Sequence, residues 1–472
     1  MARAYRHGAG GARRHLALTV LTRPDAYQSR GDAMALIDLN LAVTPPDQED
    51  VKAKALVQTI DPKTRAEGMK ALGEFARWGD LTPDEYYHLG KLHFDQGKVF
   101  ECVEFFEKAT RARSGVSGEH LAALARVYMG TKNLEKARHT VLRLKAFSPR
   151  GWEAAREEAR LLKREAEAAA TKANPDLAAA LTAEAKKRIL DFPGATEDVF
   201  ARTKSGPLLE ELEYYPEAEA LFARLAEQPG AANAHWPLAL FLIHRKRSDE
   251  AIRLTFQHEA KTSVELTARL LTGAVRAKSP GPQAEQRVAD WLDAKVKASI
   301  DPFEQLTLLG SRAELADALR KYDDAIASYE TAIARAKGLS PEDQRRYPLD
   351  LFQNNLAMLL TLHRPAEADR AIATMSDVIA IRGPAPAYLD TRAVAYLVKG
   401  GRTGEAVEDL KLALVQQHRA AYLFHLGWAY DMDPAQRGLR DGPLADAKRL
   451  GITLDDLHPL EARKFAELYA PR

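Results

Sequence analysis

The chain is poor in most of what announces chemistry. It has one cysteine, Cys102, in 472 residues. That excludes an internal disulfide framework and carries no signal of an oxidising compartment. Aromatic residues make up only 7% against abundant alanine, a mix that suits closely packed helices. The formal net charge of +2 gives no field that would draw the whole chain to nucleic acid or an acidic membrane. No stretch approaches the ~20 apolar residues needed to span a bilayer. The apolar run Leu16 to Leu21, set in a basic start (Arg3, Arg6, Arg13, Arg14), is shorter than a signal-peptide core and has no small-residue cleavage site after it. These absences point to a cytoplasmic protein with no membrane span and no nucleic-acid partner. The start at Met1 is also compatible with a natural protein that begins upstream.

Catalytic and ligand motifs are missing too. Of the 13 histidines, the closest spacings are His88 with His93 and His418 with His425. Neither is the i,i+4 pair of a zinc helix, and the single cysteine makes no cluster with histidine. The histidines are therefore expected as partly exposed helix residues. Asp431, Asp433 and Asp441 open like a calcium loop, but Pro434 and Ala435 stand where the third ligand belongs, and Gly442 replaces the closing glutamate. The glycine cluster at Gly8, Gly10 and Gly11 lacks the Gly-Lys-Ser/Thr of a phosphate loop. No nucleophile-elbow or kinase signature appears. The expectation is no catalytic, cofactor or metal residue, and no enzyme.

What the chain does have is a recurring pattern. A Leu or Ala beside a small residue, then an aromatic or Leu, is followed by Ala in a second helix. Clear copies are Leu89-Gly90 with Cys102, Phe106 and Ala109, and Leu124-Ala125 with Tyr128, Ala137, Val141 and Leu144. The second-helix anchors lie 35 apart from Cys102 to Ala137, 33 from Ala218 to Ala251 and 35 from Ala371 to Ala406. A period near 34 with one helix-turn-helix per period is a helical solenoid. Breakers and caps then predict about twelve helix pairs. The strongest start is Thr82-Pro83-Asp84-Glu85, with a Thr cap, Pro at the first helical position and acids in the first turn.

The rhythm divides the chain. Residues 1–50 are a basic N-terminus with a partial, degenerate repeat, and 51–150 are regular repeats. Residues 151–200 form a longer, charged helical pair interrupted at Asn174-Pro175. Regular repeats resume over 201–422, and 423–472 read as a modified terminal repeat with a capping helix. Cys102 sits where alanine is usual and reads as a buried structural thiol.

These units resemble tetratricopeptide repeats, closely at 84–118, 119–150, 303–337 and 387–415. The elements Asn354-Asn355-Leu356-Ala357 and Leu389-Asp390-Thr391-Arg392 are similar to those of long bacterial arrays. The resemblance implies an all-α, right-handed superhelical solenoid of antiparallel pairs whose first helices line a concave groove. It also implies a non-enzymatic scaffold that binds a protein or peptide. The alternative is a regulatory or recruitment arm of a longer enzyme. In the family register Asn354, Met358, Thr391, Phe424 and Trp428 reach the groove, with Asn355 and Arg392 beside it. Amides pair with peptide backbone, and an Arg fork takes a carboxylate. The ligand is expected in the groove from about 303 to 430. A chaperone-type carboxylate clamp needs Lys and Asn at set positions in successive units; Tyr87 and Lys91 stand there instead, which argues against that specialised function.

Overall fold

The structure is a computed structural model and describes residues 2–23, 25–42, 46–228, 233–347 and 349–470. Among these residues it is all-α, with no strand. The helices are α1 (Ala2–Leu18), α2 (Ala26–Leu41), α3 (Gln48–Gln58), α4 (Arg65–Trp78), α5 (Pro83–Asp95), α6 (Val99–Arg111), α7 (Gly118–Gly130) and α8 (Leu134–Phe147). Next come α9 (Trp152–Thr171), α10 (Pro175–Leu190), α11 (Asp198–Phe200), α12 (Gly206–Glu211), α13 (Tyr215–Ala226), α14 (Trp236–His244), α15 (Ser248–Gln257), α16 (Val264–Ala277) and α17 (Pro282–Ala298). The chain continues through α18 (Pro302–Ala318), α19 (Tyr322–Lys337), α20 (Pro341–Arg346), α21 (Leu349–His363), α22 (Ala368–Arg382), α23 (Pro386–Lys399), α24 (Thr403–Gln416), α25 (Ala420–Met432), α26 (Asp441–Arg449) and α27 (Ala462–Tyr469).

Local chemistry sets the boundaries. At α5 the Thr82 hydroxyl accepts from Glu85 N while the Glu85 carboxylate accepts from Thr82 N, and Pro83 fills the first position. Such a cap is worth ~0.5–2 kcal/mol. Ser117, Asn174, Ser263 and Asp301 cap α7, α10, α16 and α18 in the same sense. The small-residue position works as close approach. A Cβ on Gly90 would lie 2.5 Å from Phe106 Cδ1, and one on Gly427 2.5 Å from Leu444 Cδ2. Cys102, Ala109, Ala137 and Ala251 are fully buried, and Phe106, Tyr128 and Tyr329 fill the space between helices.

The helices form two compact units. Unit 2 is one continuous stretch, Ser117–Phe352. Its core runs from Trp152 and Ile189 through Leu208, Phe222 and Phe241 to Leu271, Leu292 and Leu308. The trio Trp152, Phe192 and Phe200 packs with ring centroids 4.9–5.4 Å apart. First helices of neighbouring pairs pack on one another, as α7 does on α9, α14 on α16 and α16 on α18.

Unit 1 joins Met1–Val116 to Gln353–Arg472. A repeat array in which each pair touches only its neighbours would keep these segments apart. They meet instead, α2 against α22 and α5 against α24. The nearest-neighbour expectation fails here because polar groups at helix ends, invisible to the apolar period, find partners across the chain. Composition divides the sequence near 50, 150, 200 and 422; contacts divide it after Val116 and Phe352.

Candidate functional site

The seven residues expected at the groove lie in unit 1, and the structure separates them. Phe424 is fully buried, Trp428 is 6% exposed and Thr391 is 2% exposed. This corrects their expected surface position. Phe424 packs on Phe465 and Tyr469 of the terminal segment, which closes over α25. Trp428 lies under Lys464, 5.5 Å from the ring. For Phe424 and Trp428 the cause is the cap: α27 occupies the face that the family register leaves open. Arg392 is spent on Asp409, with Nε and Nη2 donating to its two oxygens at 2.7 and 2.8 Å, and Nη1 donates to Ser376 Oγ. Asn354, Asn355 and Met358 on α21 are half-buried. Asn355 is already engaged, whereas Asn354 Oδ1 is buried with no hydrogen-bond partner.

The histidine expectation also needs correction. His120, His235 and His425 are buried rather than partly exposed. His235 stacks on His258, ring centroids 4.7 Å apart, and burial lowers its pKa to about 4. His425 Nδ1 meets Asp390 Oδ1 and its Nε2 meets Glu461 Oε1, both at 2.7 Å. Burial opposes the imidazolium, yet the two carboxylates outweigh it and raise the pKa to about 10. Asp390 and His425 are 35 positions apart and His425 and Glu461 are 36, so the repeat period stacks three polar residues in line. That spacing was a readable signal. Burial pushes the Cys102 thiol up to about 12, so it is the inert structural thiol expected.

A charged constellation beside a surface depression lies in unit 2, across the first helices α7, α9 and α12. Glu157 on α9 is fully buried. Its Oε1 accepts from Arg156 Nε at 2.9 Å and Arg160 Nη1 at 2.8 Å, and Arg126 Nε lies 3.9 Å away. Its Oε2 has no hydrogen-bond partner. Arg160 also forks onto Glu211 at 2.7 and 2.6 Å. Burial works against the Arg160 charge, but Glu211 and Glu157 raise its pKa on balance. Above this cluster is a depression of about 320 Å³ walled by Arg126, Arg160, Lys163, Arg164, Glu167 and Glu213. Lys163 stands between Glu167 and Glu213 at 3.5 and 3.4 Å. Arg126 is therefore the cation held least tightly, 42% exposed at its side chain. Among the described residues no group of three or more His, Cys, Asp or Glu side chains is arranged to hold a metal ion, and no helix is long and apolar enough to cross a membrane.

Sequence reasoning missed Glu157, because a lone acid in a helix dense with Glu, Lys and Arg has no periodic mark. The regular pairs themselves match a known repeat. The family model of the tetratricopeptide repeat covers residues 86–115, which are α5 and α6 with their connection. The chain thus contains a tetratricopeptide repeat at α5 and α6. Among solved structures it is similar to the APC/C hetero-tetramer Cut9–Hcn1, at 14% identity over 97% of this chain and 88% of that one, with a TM-score of 0.36. It is also similar to yeast Tom70, at 12% identity over 83% of this chain and 96% of that one, with a TM-score of 0.28. No curated protein matches the chain.

Proposed function

We propose that this tetratricopeptide repeat protein is a non-enzymatic scaffold that holds a peptide segment of a partner protein across the first helices α7, α9 and α12. The observation that carries the reading is the depression above Glu157, where Arg126 is held only at 3.9 Å by Glu157 amid more closely paired charges. A partner carboxylate meeting Arg126 gains a charge-assisted bond beside a partly desolvated wall. The flanking Glu167 and Glu213 reject a uniformly acidic chain, so the fitting segment carries both signs. Interface energy concentrates in a few residues, arginine prominent among them. The test is an array of mixed-charge peptides probed with the full chain. Arg126→Glu is expected to weaken the best binders by about tenfold or more at unchanged helicity. Equal binding by the variant, or loss that follows unfolding, overturns the assignment.

A second reading places an extended peptide on α21, carried by the unsatisfied Asn354 Oδ1, with Met358 and Asn355 beside it. A peptide N–H would satisfy that oxygen. If Asn354→Ala lowers binding and Arg126→Glu does not, α21 is the docking helix.

A further inference from the structure

The two segments of unit 1 meet through a contact that repeats. Gln28 Nε2 on α2 donates to Ile381 O at 3.2 Å and Arg382 O at 2.6 Å, at the carboxyl end of α22. Arg65 Nη1, at the start of α4, donates to Val415 O at 3.4 Å, near the carboxyl end of α24. Ile381 and Val415 are 34 positions apart, and Gln28 and Arg65 are 37 apart. Each step is one repeat. A third bond joins the same end of α24 to α5 in the opposite sense, with His418 N donating to Asp95 O at 2.8 Å. Glycines leave the room: a Cβ on Gly383 would lie 2.6 Å from the Tyr27 ring, and one on Gly97 2.9 Å from that of His418. Successive pairs of one segment thus dock in step on successive pairs of the other.

The contact combines helix-end hydrogen bonds with the packing of the Tyr27 and His418 rings on glycines. The last carbonyls of a helix have no intrahelical donor and carry the negative end of its dipole. Gln28 and Arg65 supply donors to them from 350 or more positions away. Desolvation opposes the Arg65 charge, with Asp95 and Asp61 easing it. Lys63 acts across the contact on Asp409. By contrast, three apolar clusters of this unit each stay within one segment. Two lie in the N-terminal segment, around Leu72 and Leu89 and around Ile37, and one in the C-terminal segment around Leu389 and Tyr422. Polar contacts within a chain permit relative motion, and their charged part weakens with salt.

We propose that this contact is a releasable clasp: the carboxyl ends of α22 and α24 form a docking edge, and α2, α4 and α5 are its occupant. Release uncovers Arg65, the two rows of helix-end carbonyls and the last turn of α5. A partner that takes any of these competes with the clasp and shifts it open, by the reciprocity of linked equilibria. The clasp shares no residue with the peptide site on α7, α9 and α12, and its test does not depend on that site.

The experiment measures spin-label distances in the full chain carrying Lys70→Cys and Lys411→Cys, both exposed positions on α4 and α24. The buried Cys102 stays unlabelled. The expected result is a short-distance population with a longer one that grows in about 1 M salt, where the Debye length falls to ~3 Å. The longer population becomes dominant in Gln28→Ala/Arg65→Ala. Gln28→Ala alone, at an exposed bond, shifts the balance in the same direction and guards against misfolding of the double variant. A single unchanged short distance in every condition makes the contact a fixed part of the fold and overturns the clasp. Absence of the short population in the parent chain overturns it as well.

Discussion

Each unit buries a charged cluster, and the two are built in opposite ways. In unit 1, His425 is shut in between Asp390 and Glu461, with the terminal segment packed over α25. In unit 2, Glu157 is equally buried, but the arginines that hold it rise into the walls of an open depression. Every polar nitrogen of the first cluster is satisfied internally; the second keeps an unsatisfied oxygen and a loosely held arginine. Under the proposed function, the difference separates a lock from a docking place. A closed cluster returns its interactions to the fold, while an open one has capacity left for a partner.

The sharpest way to break that contrast is His425→Leu. It strands two carboxylates in a dry site, and removing one partner of a buried ion pair costs ~3–5 kcal/mol. Denaturant titration is expected to show that loss, with peptide binding at α7, α9 and α12 retained at a denaturant-free temperature below the transition. An unchanged midpoint would mean that water reaches the cluster.

The pH dependence refines the same point. His425 has a pKa raised above its unfolded value, so its contribution is complete below ~6.5 and fades as the pH rises through about 10. Burial opposes the Glu461 charge, but His425 prevails and lowers its pKa. Its contribution is present above ~4.5 and fades as the pH falls through that lowered value. The stability gap between the parent chain and His425→Leu is therefore expected to narrow steadily from pH 7 to pH 10. A constant gap across that range would show that the charge on His425 is not what stabilises the cap.

Smaller effects are expected elsewhere. Gly90→Ala places a methyl 2.5 Å from Phe106 and should cost ~1–3 kcal/mol by overpacking, partly relieved by Phe106→Leu in the same chain; thermal melting of the four combinations measures the coupling. At the bottom of the scale, Arg126→Ala should change stability by no more than ~0.5 kcal/mol, since Arg156 and Arg160 still hold Glu157. A large loss of stability there would make the depression structural and erase the contrast between the units.

Much of the fold was legible because it rests on local rules. The Thr82 cap, the Pro at the start of α5 and the fully buried Leu89, Cys102 and Ala109 follow from a period that each pair repeats independently. The candidate site was legible far less well. Phe424 and Trp428 carry the right residue types in the right register, yet α27 folds back and buries them. Arg392 had the fork for a ligand carboxylate, and Asp409 on the neighbouring helix took it first.

The sequence by itself determined the helical pairs, their near-34-residue period and the inert role of Cys102, because apolar periodicity, capping and small-residue spacing act within a few turns of the chain. Only the tertiary structure decided which charges are closed and which stay open, and that α2 and α4 meet the ends of α22 and α24. Those outcomes depend on polar groups hundreds of residues apart, whose pairing is governed by distance and desolvation in space and leaves no period in the chain.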